Sequence, residues 1–138
     1  MITTIFRVLL GVFFVLAGLN HFRIPEFYLS MIPPPLPPVP VNVLSGLAEM
    51  ALGIGVLIPR TRRLAGWGLI ALLIAIFPAN IYAAFQGHIA GLDAPAWTLW
   101  ARLPFQFVFL AWVWAVTLRK TEKEEGGPRA RGMNNRML

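Results

Sequence analysis

Five polar side chains fall inside stretches that are otherwise apolar: His21, Glu49, Asn80, Arg102 and Gln106. An acid and an imidazole can pass a proton between them, and amides and a guanidinium can donate hydrogen bonds to carbonyl oxygens. Glu49 carries the most weight. It lies about eight residues into an apolar block, ~12 Å along a helix, so it sits near mid-depth if that block crosses a bilayer. A charge there costs ~2.5–3.5 kcal/mol even on mild insertion scales, so it must face the protein and have a partner. Gly46, Glu49 and Gly53 share one helical face, as do Phe14, Gly18 and His21, and small residues let a neighbouring helix come close. Arg102 and Gln106 are one turn apart. Each polar group also has a purely structural use. Glu49 could form a salt bridge with Arg102, Asn80 and Gln106 could bond two helices together, His21 could rest at an interface, and Arg102 could snorkel to head groups.

Little else in the chain offers chemistry. There is no cysteine among its 138 residues, which leaves no dithiol relay, thiolate-bound cluster or disulfide. With two histidines and six acids, a metal or haem site has little to draw on. No G-x-G-x-x-G follows a strand, so no flavin or dinucleotide motif is present.

The elements that must position these residues are membrane helices. Hydrophobic residues are 57% of the chain and charged ones 13%, against roughly 25% charged in a soluble domain. A chain this short could not bury that much apolar surface by itself. Four blocks, at about 4–22, 41–58, 64–85 and 103–119, approach the ~20 residues a spanning helix needs. They lack the alternation of barrel strands. The first block also has signal-peptide length, but Ala17 and Gly18 lead into Leu19, Asn20 and His21, a poor cleavage context, so it is expected to remain as a span. The expected fold is all-α: an antiparallel bundle of four transmembrane helices over residues 1–120, with a basic, disordered cytoplasmic tail at 121–138.

Charge sets the expected orientation. The net charge is +6, and ten of the twelve basic residues flank one side of the spans, leaving Arg23 and Arg102 on the other. The positive-inside rule then makes both termini cytoplasmic in a bacterial-type inner membrane. Beside a membrane this charge reflects topology and anionic head groups, and no base-reading module accompanies it, so nucleic acid is not an expected partner. Six of the twelve prolines fall between Pro33 and Pro40, which predicts a stiff polyproline strap between the first two spans. The loop from Gln86 to Ala101, with Gly87, Gly91 and Pro95, is expected to be irregular.

In this topology the polar residues come late in spans one and three and early in spans two and four. His21, Glu49, Asn80, Arg102 and Gln106 should therefore meet in one cavity in the outer half. The stretches that carry them, GVFFVLAGLNHFRIPEF (11–27), GLAEMALGIGVLIP (46–59), FPANIYAAFQG (77–87) and RLPFQ (102–106), resemble the DoxX family of small four-helix membrane proteins. That family is named for similarity to the membrane subunit of a thiosulfate:quinone oxidoreductase. The resemblance implies a redox-associated role and a quinone as cofactor, without a settled set of catalytic residues.

Three functions compete. The first is a subunit that binds a quinone or a similar small hydrophobic molecule. Glu49 and His21 would handle protons, Asn80, Arg102 and Gln106 would hold the head group, and Phe14 and Phe77, with Phe13 and Phe105, would line the apolar part. The electrons would come from another subunit or directly from a small reductant. The second is a non-catalytic accessory or scaffold subunit of a larger complex, or a homo-oligomer, in which the polar cluster only fixes helix register. The third, a small transporter, has only four spans and an apolar inner half to work with.

Overall fold

The structure, a computed structural model, describes residues 1–119. Among these, every element is helical apart from one isolated bridge between Ile89 and Leu92. Helix α1 is Ile2–Arg23, α2 Pro25–Leu29, α3 Pro38–Leu57, α4 Arg62–Gln86 and α5 Trp97–Val113, which continues as a π-helical turn over Trp114–Leu118. The segments Ile2–Arg23, Pro38–Leu57, Arg62–Gln86 and Trp97–Leu118 are long and apolar enough to cross a membrane. Large apolar side chains such as Leu64, Phe85 and Trp67 stand exposed on their outer faces, where lipid rather than water is the fitting solvent. The tail expected at 121–138 lies outside the described residues.

The tightest joint is between α1 and α3, and glycines make it. A Cβ placed on Gly18 would fall 2.5 Å from the Gly46 carbonyl oxygen, and one on Gly53 would fall 2.8 Å from that of Gly11. Gly11 and Gly18, like Gly46 and Gly53, are seven residues apart, so each helix presents two bare patches to the other's backbone. Next along, α3 packs on α4 and α4 on α5. Leu10, Phe14, Val56, Leu69, Leu73 and Val113 form the main buried core. The end of α5 and the π-helical turn close the bundle against α1: the Arg7 Nε–H donates to the Val116 carbonyl at 3.0 Å, and the Trp112 indole to that of Phe6 at 3.2 Å. A smaller core of Met31, Ala83, Ala84, Ile89 and Leu99 gathers the loops at the opposite end.

Three expectations about the chain between the spans are corrected. The proline run is no extended strap: Pro33 to Leu36 closes a turn, and α3 already begins at Pro38. Proline fits the first helical turn because its missing N–H has no partner there. The stretch after Arg23 forms the short helix α2, started by Pro25. The fourth span starts at Trp97 rather than near 103, so Arg102 and Pro104 lie inside the helix and the irregular loop ends at Ala96. That loop opens with Gly87 in the left-handed region (φ 72°), the usual stop for a helix such as α4.

Candidate functional site

Glu49 lies near the middle of α3, about 16 Å from its start, and is 6% exposed. Its neighbour is His21, near the end of α1, whose Nε2 stands 3.6 Å from Glu49 Oε2. The other side of the imidazole is occupied by Asn42, from the second turn of α3. Asn42 Nδ2 donates to the main-chain carbonyl of His21 at 3.0 Å, and Asn42 Oδ1 lies 2.8 Å from His21 Nδ1. The first bond fixes which way the amide points. Oδ1 must then accept, so His21 Nδ1 carries a proton. Nε2 is left with either a lone pair or a second proton, facing a carboxylate oxygen that has no hydrogen-bond partner among the described residues.

Helix α2 supplies the roof. The Tyr28 ring stacks on His21 with centroids 3.6 Å apart. Burial first, and then the negative charge of Glu49, hold the Tyr28 phenol above its ordinary value, with Arg102 pulling the other way. A tyrosine that ionises above the usual ~10 is therefore expected in a phenolate absorbance titration, and Tyr28→Phe is expected to remove it. The sign for stability follows from the raised value. The contribution is intact below the unfolded-state pKa and lost as pH rises through the folded-state one, so thermal stability should decline above about pH 10 and decline less in Tyr28→Phe.

Across the bundle, Asn80 Nδ2 donates to Gln106 Oε1 at 2.7 Å, joining α4 to α5. The Gln106 amide N–H donates in turn to the Leu73 carbonyl, beside the turn where Pro78 withholds a donor from Ile74. Arg102 is not the partner of Glu49. Its guanidinium lies 3.8 Å from Met31 Sδ and 5.3 Å from the centre of the Phe27 ring. Residues following α1 thus come between the α5 cation and the α3 acid, which depth along the spans could not show.

His21, Glu49, Asn80, Arg102 and Gln106 all line one cavity of about 890 Å³. This is within the ~300–1,000 Å³ typical of small-molecule sites. Phe13, Phe14 and Phe105 contribute to its apolar wall. Phe77 does not line it, and its ring instead packs edge-on to Phe107 at 5.9 Å. Ile76 and Ala79 of α4 reach the cavity, and Phe77, one residue past Ile76, is turned ~100° away. Asn42, Tyr28 and Met31 were not anticipated. Asn42 had a usable signal, since Asn42, Gly46, Glu49 and Gly53 form one stripe on α3. Among the described residues, no three His, Cys, Asp or Glu side chains gather as a metal site would require.

The match to a family model covers residues 10–117, and with it every residue of the cavity and the greater part of each span. The chain belongs to that family, a domain of unknown function (DUF8561). No curated protein and no solved structure matches it. In this DUF8561 member the site has two halves. One, on α1, α2 and α3, holds an acid and an imidazole 3.6 Å apart. The other, on α4 and α5, holds two amides joined by a single hydrogen bond.

Proposed function

We propose that this is a DoxX-like integral membrane protein, a redox-associated subunit that binds a quinone or a similar small hydrophobic molecule in the polar-lined cavity. The helices alternate in direction as an antiparallel bundle, with both termini cytoplasmic and the cavity in the outer half of a bacterial-type inner membrane. The basic residues at 7, 60, 62, 63 and 119 support that orientation. A protein partner, or further copies of this chain, completes the assembly, and the electrons come from a different subunit or a small reductant.

One observation carries the reading: a buried carboxylate, one oxygen of which has no hydrogen-bond partner among the described residues, lines an otherwise largely apolar cavity among membrane-length helices. Leaving such a group unmet is costly, so its presence there favours use over packing. A quinone fits the residues present, because its head group needs polar contacts at two ends and apolar walls between. When bound, it would supply two-electron chemistry coupled to protons. The chain's own part is to hold and move those protons. Asn42 locks the ring so that Nε2 faces Glu49, and a proton placed between them can rest on either atom. Arg102 supplies donors on the far side, and Phe14 helps keep water out.

A second reading, a non-catalytic accessory subunit, is favoured by the Asn80–Gln106 pair, whose mutual bond has the look of helix glue. Binding of decyl-benzoquinone, reduced to its hydroquinone and followed by tryptophan quenching, separates the two. Micromolar affinity is expected, and Glu49→Gln with Arg102→Ala together should weaken it at least about tenfold. Unchanged affinity in that double variant would leave only the accessory role.

A further inference from the structure

The two polar halves of the cavity differ in what they lack. On the α1–α3 side no donor among the described residues reaches Glu49 Oε2, the cavity-lining hydroxyls of Ser45 and Tyr28 included. The Nδ1–H of His21 is committed to Asn42. The Asn42 amide N–H is committed to the His21 carbonyl. Arg102 of α5 rests on Met31 and Phe27, and Tyr28 of α2 lies flat on the imidazole. The α4 amide, Asn80, donates to Gln106. Glu49 Oε2 is left with none of these, and His21 Nε2, at 3.6 Å, lies beyond the ~3.2 Å reach of a hydrogen bond. With Nε2 unprotonated, the pair offers the cavity lone pairs and no donor.

We infer that this pair selects a hydroxyl: the cavity takes an amphipath whose aromatic head group donates an O–H hydrogen bond to the Glu49 carboxylate beside His21 Nε2, a phenol or hydroquinone in preference to the matching ether or dione. The inference rests on the cavity being a ligand site, as proposed above, and adds which chemical form it holds. A dione brings only acceptors to a place already rich in them. A ring hydroxyl brings the missing donor, and the carboxylate makes that bond charge-assisted. Arg102, on the far side, offers N–H donors to whatever acceptor the opposite end of the ring carries.

A pair of redox-inert probes tests this on the whole protein in detergent: 4-decylphenol and its methyl ether, 4-decylanisole. They share ring and tail and differ in the donor. The phenol is expected to bind at least about tenfold more tightly, and in Glu49→Gln the preference should shrink to about threefold or less. Equal affinities for the two probes would overturn the hydroxyl preference while leaving a ligand site in place. A preference that persists in Glu49→Gln would also overturn it, since the donor would then be met elsewhere. If neither probe binds and the reduced decyl-benzoquinone also fails, the ligand reading itself falls. The comparison within the unaltered protein needs no variant to fold.

Discussion

A leucine at position 18 is expected to prevent recovery of folded, monodisperse protein. The first atom such a side chain adds would fall 2.5 Å from the Gly46 carbonyl oxygen, 2.7 Å from Met50 Cγ and 2.9 Å from the Met50 nitrogen. Two of the three are backbone atoms of α3, so the clash cannot be relieved by a rotamer change. The helices would have to separate, and two consequences follow. The matching contact between Gly11 and Gly53 would open, and His21, one turn further along α1, would leave Asn42. Overpacking a core costs about 1–3 kcal/mol where side chains can yield. Here the expected loss is at or above the top of that range. Size-exclusion elution and thermal melting in detergent provide the measurement, with Ala51→Leu on the exposed face of α3 as the tolerated control. A Gly18→Leu protein that elutes and melts like its parent would show that α1 and α3 are not in backbone contact there.

The same joint shows what could be read without coordinates. Four helices were legible because lipid demands long apolar runs and leaves few other solutions. The convergence of His21, Glu49, Asn80, Arg102 and Gln106 was legible for a related reason: polar groups at that depth have to find one another. Partner choice was not. Depth and charge sign suggested Glu49 with Arg102, but the glycine stripes draw α1 against α3 and bring His21 to the acid instead. The five residues of α2 are too few to show periodicity, yet they place Tyr28 on the imidazole and Phe27 under the guanidinium. Asn42 falls at the very start of the expected span 41–58, where it gives no sign of meeting His21; α3 in fact begins at Pro38, because proline is as compatible with a first helical turn as with an extended strap. Phe77 failed for a simpler reason. Aromatic character alone does not tell a cavity wall from an outward face, and one residue of helical rotation separates them.

Asn42→Leu is expected to change where the His21 proton sits. In the parent, Asn42 accepts from Nδ1 and so leaves Nε2 without a fixed proton. Leucine removes that acceptor. Within reach, the remaining acceptor for the ring is Glu49 Oε2, so the neutral imidazole should move its proton to Nε2 and turn it toward the carboxylate. Two measurable results follow. Nitrogen-15 spectra of histidine-labelled protein, with His88→Gln to remove the second signal, should change from the Nδ1–H to the Nε2–H tautomer. Affinity for 4-decylphenol should fall about tenfold, because the carboxylate oxygen then has an internal donor and the ligand hydroxyl loses its place. Stability should drop by only about 1–3 kcal/mol, the cost of leaving the His21 carbonyl without the Asn42 amide while the ring finds a new partner. Asn42→Asp gives the contrast: its carboxylate still accepts from Nδ1, so the parental tautomer should persist. A leucine variant that keeps the Nδ1–H spectrum would mean that Asn42 does not set the tautomer, and the donor-poor gap beside Glu49 would lose its cause.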